Sequence, residues 1–227
     1  MPMRWWPLLN EIWVLFRKDL LQELRSKAAL NAIFLFALVT LTAVSYSIGS
    51  FNVAPDMLAA LLWIVIVFSG LSAFAHIFLK EEEAQTADTL KLIARPTTIF
   101  LAKWAFNVLL LTLMLLFTVP LFIGAFNFTV YHPGLLILTL LLGDIGLATA
   151  GTIIAVLIAR AARRGALFSV LSFPVLLPVM IIAISATKIA FRADPTDLFI
   201  SEITAMLSFD IVLLTASLLL FEFIWND

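Results

Sequence analysis

Residues 80–96 read KEEEAQTADTLKLIARP, the longest polar run in a chain that is otherwise almost continuously apolar. Lys80, Glu81, Glu82 and Glu83 crowd its start, Asp88, Lys91 and Arg95 follow, and Pro96 closes it. Apolar blocks of membrane-spanning length lie on both sides. That contrast decides the fold class. The blocks read as transmembrane helices, and the polar run reads as a connection held out to a partner on one side of the membrane. Leu79, Thr86, Leu90 and Ile93 share one face at helical spacing, which predicts a short helix lying flat on the membrane.

Composition supports the same division. Of 227 residues, 63% are hydrophobic and only 13% charged, with a mean hydropathy of +1.11. Soluble domains carry about 25% charged residues, so the chain is expected to be an integral membrane protein. The net charge of −1 gives no reason to expect nucleic acid as a partner. With no cysteine, disulfides, thiolate metal sites and cysteine nucleophiles are excluded together. The first long apolar block follows a charged helix, which is not the design of a signal peptide.

Moving outward from residues 80–96, six blocks are long enough for spans of about 20 residues. They cover 30–48, 57–79, 100–126, 134–159, 166–190 and 203–225. Lysine and arginine set the orientation. Arg4, Arg17, Lys18, Arg25 and Lys27 precede the first block; Lys80, Lys91, Arg95 and Lys103 separate the second and third; Arg160, Arg163 and Arg164 separate the fourth and fifth. Lys188 and Arg192 alone fall on the other side, a balance of 12 against 2. Both termini and residues 80–96 are therefore expected in the cytoplasm, and the chain in a cytoplasmic (inner) membrane. The outer connection RADPTDLFISE has room for a short re-entrant or interfacial helix. No linker or repeat divides the sequence, which reads as a single domain over 1–227.

Residues 8–27 place Leu9, Ile12, Trp13, Phe16, Leu20 and Leu24 on one helical face and Glu11, Lys18, Gln22 and Arg25 on the other. Trp5, Trp6 and Trp13 suit the membrane boundary. An amphipathic interfacial helix within 1–29 is expected; a soluble helix packed on a partner is the alternative.

Catalytic motifs are missing. No glycine is followed by lysine, so the chain lacks a GxxxxGK[ST] phosphate loop, and no GxSxG, HExxH or paired carboxylates occur. The chain is expected not to be an enzyme; ATP, if used, would be hydrolysed by another subunit. Asp144, in LLGDIGLATAGT, is taken as the one carboxylate well inside a span, either functional or bonded to neighbouring Ser or Thr hydroxyls. Gly143, Gly146 and Gly151 with nearby alanines allow close helix approach, within the subunit or across a dimer seam. Pro120, Pro174 and Pro178 fall inside spans. His132 lies on the outer side and His76 on the cytoplasmic side; a haem ligand and a polar tip at the interface are the two readings of each, and no second histidine completes a site.

The stretch FLKEEEAQTADTLKLIARPTTIFLAK is similar to the coupling segment of type-2 ABC exporter membrane subunits: a glutamate cluster, a T-L-x-L run, a proline, and a lysine opening the next helix. More narrowly, the chain resembles the CcmB family, membrane subunits of the cytochrome c maturation ABC complex. FRKDLLQELRSK, LLWIVIVFSGLSAF, GDIGLATAGTIIAVL, LLSFPVLLPVMI and FDIVLLTASLLLFEF carry the likeness in order along nearly the whole chain. Asp88 stands where many relatives have glycine. The resemblance implies a six-span all-α membrane domain with a cytoplasmic ABC ATPase, a haem-handling membrane protein and a haem chaperone as partners, lipid around it, and a homodimer. It implies that Glu81, Glu82, Glu83, Thr89, Leu90, Leu92 and Pro96 form the ATPase-coupling segment, and that Arg17, Lys18, Asp19 and Glu23 belong to an elbow helix. Haem is then a handled ligand, with no cofactor held by the chain itself. A generic exporter permease for a lipid, drug or polysaccharide, and a passive assembly scaffold, are the competing readings.

Overall fold

Three helices open on a proline, where the missing N–H costs nothing and the fixed φ favours the first turn. In the computed structural model these are α3 (Pro55–Glu83), α4 (Pro96–Phe126) and α5 (Pro133–Ala161). The others are α1 (Trp5–Ser26), α2 (Ala28–Ile48), α6 (Phe168–Phe191) and α7 (Phe199–Asn226). The structure describes residues 5–48, 53–83, 90, 92–161, 168–193 and 199–226; side chains at 5–7, 29, 72–83, 158–161, 168–173 and 226 are likewise outside the description. Among the described residues every regular element is helical.

Five helical stretches are long and apolar enough to cross a membrane: Leu30–Ile48, Pro96–Phe126, Pro133–Leu157, Pro174–Phe191 and Phe199–Trp225. They coincide with five of the six expected blocks. The remaining block lies in α3, whose apolar stretch is described only over Pro55–Leu71. The last connection, at 194–198, where a short re-entrant or interfacial helix is expected, lies outside the described residues, and α7 begins just past it.

The bundle is organised around α5. Its apolar stretch is 78% buried, against 17% for those of α2 and α7. Small residues make this possible. Gly143 faces the indole of Trp63 on α3, and Gly146 faces Val179 on α6 and Asp210 on α7. Trp63 is wholly buried and donates from Nε1 to Thr187 Oγ1 on α6 at 2.8 Å, which satisfies the only donor of its ring. The glycine spacing thus serves packing within the chain.

At the end of the bundle remote from residues 80–96, the Arg192 guanidinium meets both oxygens of Asp56 at 2.6–2.7 Å. The His132 backbone N–H donates to the Ala190 carbonyl at 3.1 Å, tying the start of α5 to the end of α6. Between the ends of α4 and α6 and the start of α3 lies a cleft of about 520 Å³, lined by Leu58, Phe126, Phe128, Tyr131 and Phe191 among others.

Candidate functional site at the base of the fourth helix

The polar segment meets the bundle at the first turn of α4. Arg95 is extended and Pro96 opens the helix. Just before it, Leu90 is buried in the core while Leu92 and Ile93 are 87% and 71% exposed. Water or lipid headgroups gain nothing from two adjacent bare aliphatic side chains. Glu81, Glu82 and Glu83 close α3, with side chains outside the described residues, and Thr89 lies wholly outside them; of the face predicted for a flat helix, Leu79 belongs to α3, Thr86 lies outside the described residues, and Leu90 is buried where Ile93 is exposed. The polar segment is therefore seen through Leu90, Leu92, Ile93, Arg95 and Pro96.

Two turns into α4, Lys103 enters the protein instead of solvent. Its Nζ lies 3.0 Å from Asp19 Oδ1 on α1, and both side chains are buried. Lys18 stands 3.5 Å from the same oxygen and is partly exposed. Four residues further along α1, the buried Glu23 accepts the Leu30 backbone N–H at 3.0 Å, capping the orphan donors at the start of α2. Between α1 and α2 only Lys27 breaks the helix, at φ 53°, a left-handed conformation that costs a non-glycine residue about 1–2 kcal/mol.

α1 turns a mixed face to the protein, with Phe16 and Leu20 partly buried. Leu9, Trp13 and Leu24 are exposed, while Asp19 and Glu23 are buried. The buried face follows acids that find a lysine and a helix start, not hydrophobicity alone. α1 packs along α4, with the rings of Phe16 and Phe106 6.5 Å apart, and meets α2 mainly at the turn. Arg17, grouped with these residues by sequence, is exposed.

Deeper in the bundle, Asp144 is 2% exposed and its Oδ2 accepts from Thr112 on α4. The hydroxyl-bonded arrangement is the one present. Asp144 is not the sole buried acid of the spans: Asp210 on α7, 6% exposed, sits against Gly146. Its position inside the last apolar block is plain in the sequence. His132 buries its Nε2, and the side chain of His76 lies outside the described residues. Among the described residues no three His, Cys, Asp or Glu side chains gather as metal ligands.

Among curated proteins none matches the chain. A family model described as CcmB protein matches residues 10–223, which takes in α2 to α6 whole and most of α1 and α7. A buried ion pair between α1 and α4, an exposed aliphatic pair and five membrane-length helical stretches are thus carried by a chain that belongs to the CcmB family, membrane subunits of the cytochrome c maturation ABC system.

Proposed function

We propose that the chain, as one domain over residues 1–227, is the permease subunit that couples ATP hydrolysis by a partner ATPase to haem handling, including release of the haem-loaded chaperone outside the cytoplasmic membrane. It hydrolyses nothing itself. The protein lies in the cytoplasmic membrane with both termini inside, as the lysine and arginine distribution favours, and works as a homodimer beside two ATPase copies.

The observation that carries the reading is the pair Leu92–Ile93. Two exposed aliphatic side chains, followed by Arg95 and the start of α4, suit a knob entering an apolar groove of a cytoplasmic partner. Glu81, Glu82 and Glu83 would rim that contact and set its orientation, since peripheral charges steer association more than they stabilise it. Thr89, Leu90 and Pro96 hold the segment in place. Arg17, Lys18, Asp19 and Glu23 serve the elbow, so a push on the segment reaches α4 and, through Asp19–Lys103, α1.

The test is a Glu82→Lys, Glu83→Lys double variant in cells lacking the unaltered protein. Membrane insertion should persist and the yield of c-type cytochromes should fall. A normal yield with normal insertion contradicts the coupling role.

A further inference from the structure

Residues 5–27 carry four cations, Arg17, Lys18, Arg25 and Lys27, against three acids, Glu11, Asp19 and Glu23. By sequence the helix is close to neutral; folding makes its outer surface basic. Asp19 and Glu23 turn inward, where Asp19 meets Lys103 at 3.0 Å and Glu23 accepts the Leu30 N–H. Of the three acids only Glu11 stays exposed. Arg17, Arg25 and Lys27 stay exposed as well, and none of them makes an ion pair or a side-chain hydrogen bond among the described residues. Lys18, partly exposed, leans on Asp19 at 3.5 Å.

The same outer surface is apolar along its middle. At about 100° per residue, Trp13, Leu24, Arg17, Leu21 and Val14 share roughly 100° of arc, on the side away from Asp19 and Glu23. The four apolar side chains of that arc, with Leu9 beside it, are 44–64% exposed. Arg25 and Lys18 follow along one edge. A face in bulk water gains nothing from five bare large side chains, whereas a membrane interface accepts them. The level fits too. α4 has 31 residues, about 46 Å at 1.5 Å per residue, against about 30 Å of hydrocarbon. Its ends therefore extend past the hydrocarbon, and α1 packs beside the first of them, at Lys103 and Phe106.

We propose that the outward face of α1, with the turn at Lys27, is a binding surface for anionic phospholipid of the surrounding bilayer. Trp13, Val14, Leu21 and Leu24 enter the acyl boundary, while Arg17, Arg25 and Lys27 pair with lipid phosphates. Arg17 lies within the apolar arc, so its stem covers aliphatic surface while the guanidinium grips a phosphate through two N–H groups. A zwitterionic lipid offers a phosphate as well, but its own ammonium cancels the charge. Three exposed cations against one exposed acid select a headgroup with net negative charge. The inward turn of Asp19 and Glu23 is what creates this preference. The surface involves none of the residues of the polar segment, and the assignment stands apart from the ATPase-coupling reading.

The chain has no cysteine, so Leu21→Cys gives a single attachment point for a fluorophore on this face. In phosphatidylcholine nanodiscs, a small fraction of nitroxide-labelled phosphatidylglycerol should quench that fluorophore several-fold more than the same fraction of nitroxide-labelled phosphatidylcholine. High salt should shrink the excess. Adding Arg17→Gln, Arg25→Gln and Lys27→Asn should abolish most of it; asparagine tolerates the left-handed backbone at position 27. Equal quenching by the two labelled lipids overturns the proposal, and so does an excess that survives all three substitutions. Quenching by neither lipid would place α1 against a protein partner, and overturns it equally.

Discussion

Lys103 and Asp19 meet at 3.0 Å across the α1–α4 contact, each buried, although 84 residues separate them in sequence. A buried ion pair gains little over a well-packed apolar pair, because desolvation offsets most of the attraction; removing one partner is another matter. Asp19→Leu should destabilise by up to about 3–5 kcal/mol by removing the carboxylate beside a buried ammonium, and Lys103→Met by less, because Lys18 stays 3.5 Å from Asp19 Oδ1. The double variant should recover most of that loss. Thermal unfolding in detergent of both single variants and the double one checks this; additive losses would show that the two residues are not coupled.

Asp56 and Arg192 give the opposite case. Their geometry is bidentate, with contacts at 2.6–2.7 Å, yet both side chains are close to half exposed. Exposed pairs contribute about 0–1 kcal/mol. Arg192→Gln should therefore shift the unfolding temperature only slightly, and high salt should erase the difference. A loss as large as that at Lys103 would mean that this end of the bundle is buried in a larger assembly.

The glycines of α5 are unequal to Gly124 of α4. A methyl group at 143 would run into the Trp63 indole, which is buried and bonded to Thr187. At 146 it would lie 2.5 Å from Asp210 Oδ1 and 3.0 Å from Val179. Overpacking of this kind costs about 1–3 kcal/mol, so Gly143→Ala and Gly146→Ala should each destabilise. Nothing lies within 4 Å of the same position at Gly124. Gly124→Ala should be neutral or stabilising, and measured unfolding temperatures rank the three.

Asn107→Leu removes the bond to Thr152 Oγ1 between α4 and α5. Interhelical bonds within membranes contribute about 0.6 kcal/mol on average, to about 1.7 at most. A loss in that range is expected by steric trapping or denaturant titration in micelles. A loss several times larger would show that the amide organises more than its one bond to Thr152.

Much of the helical layout was legible in the sequence because hydrocarbon imposes a length and a composition on each span. Residues 30–48 coincide with the apolar stretch of α2, and Pro96 and Pro133 open helices as prolines at first turns do. What the sequence hid is pairing. Lys103 counted as a positive charge marking a membrane side and as the lysine opening a helix, and Asp19 as part of a polar elbow, because nothing local says that they meet. The burial of Asp19 and Glu23 was hidden for the same reason: both look solvated until a lysine and a helix start come within reach. Asp210 needed no structure and was overlooked beside Asp144. Leu92 was grouped with the coupling segment by likeness to a pattern; its exposure, and that of Ile93, is a tertiary fact.

The central claim is that Leu92 and Ile93 hold a partner ATPase. Purification of the tagged protein in mild detergent, with mass spectrometry and a haem absorbance scan, tests it against a Leu92→Asp, Ile93→Asp variant. The unaltered protein should bring down an ATPase together with haem-handling maturation proteins, and the variant should reach the membrane but lose the ATPase. Absence of any ATPase from the unaltered preparation, or its undiminished recovery with the variant, would contradict the account.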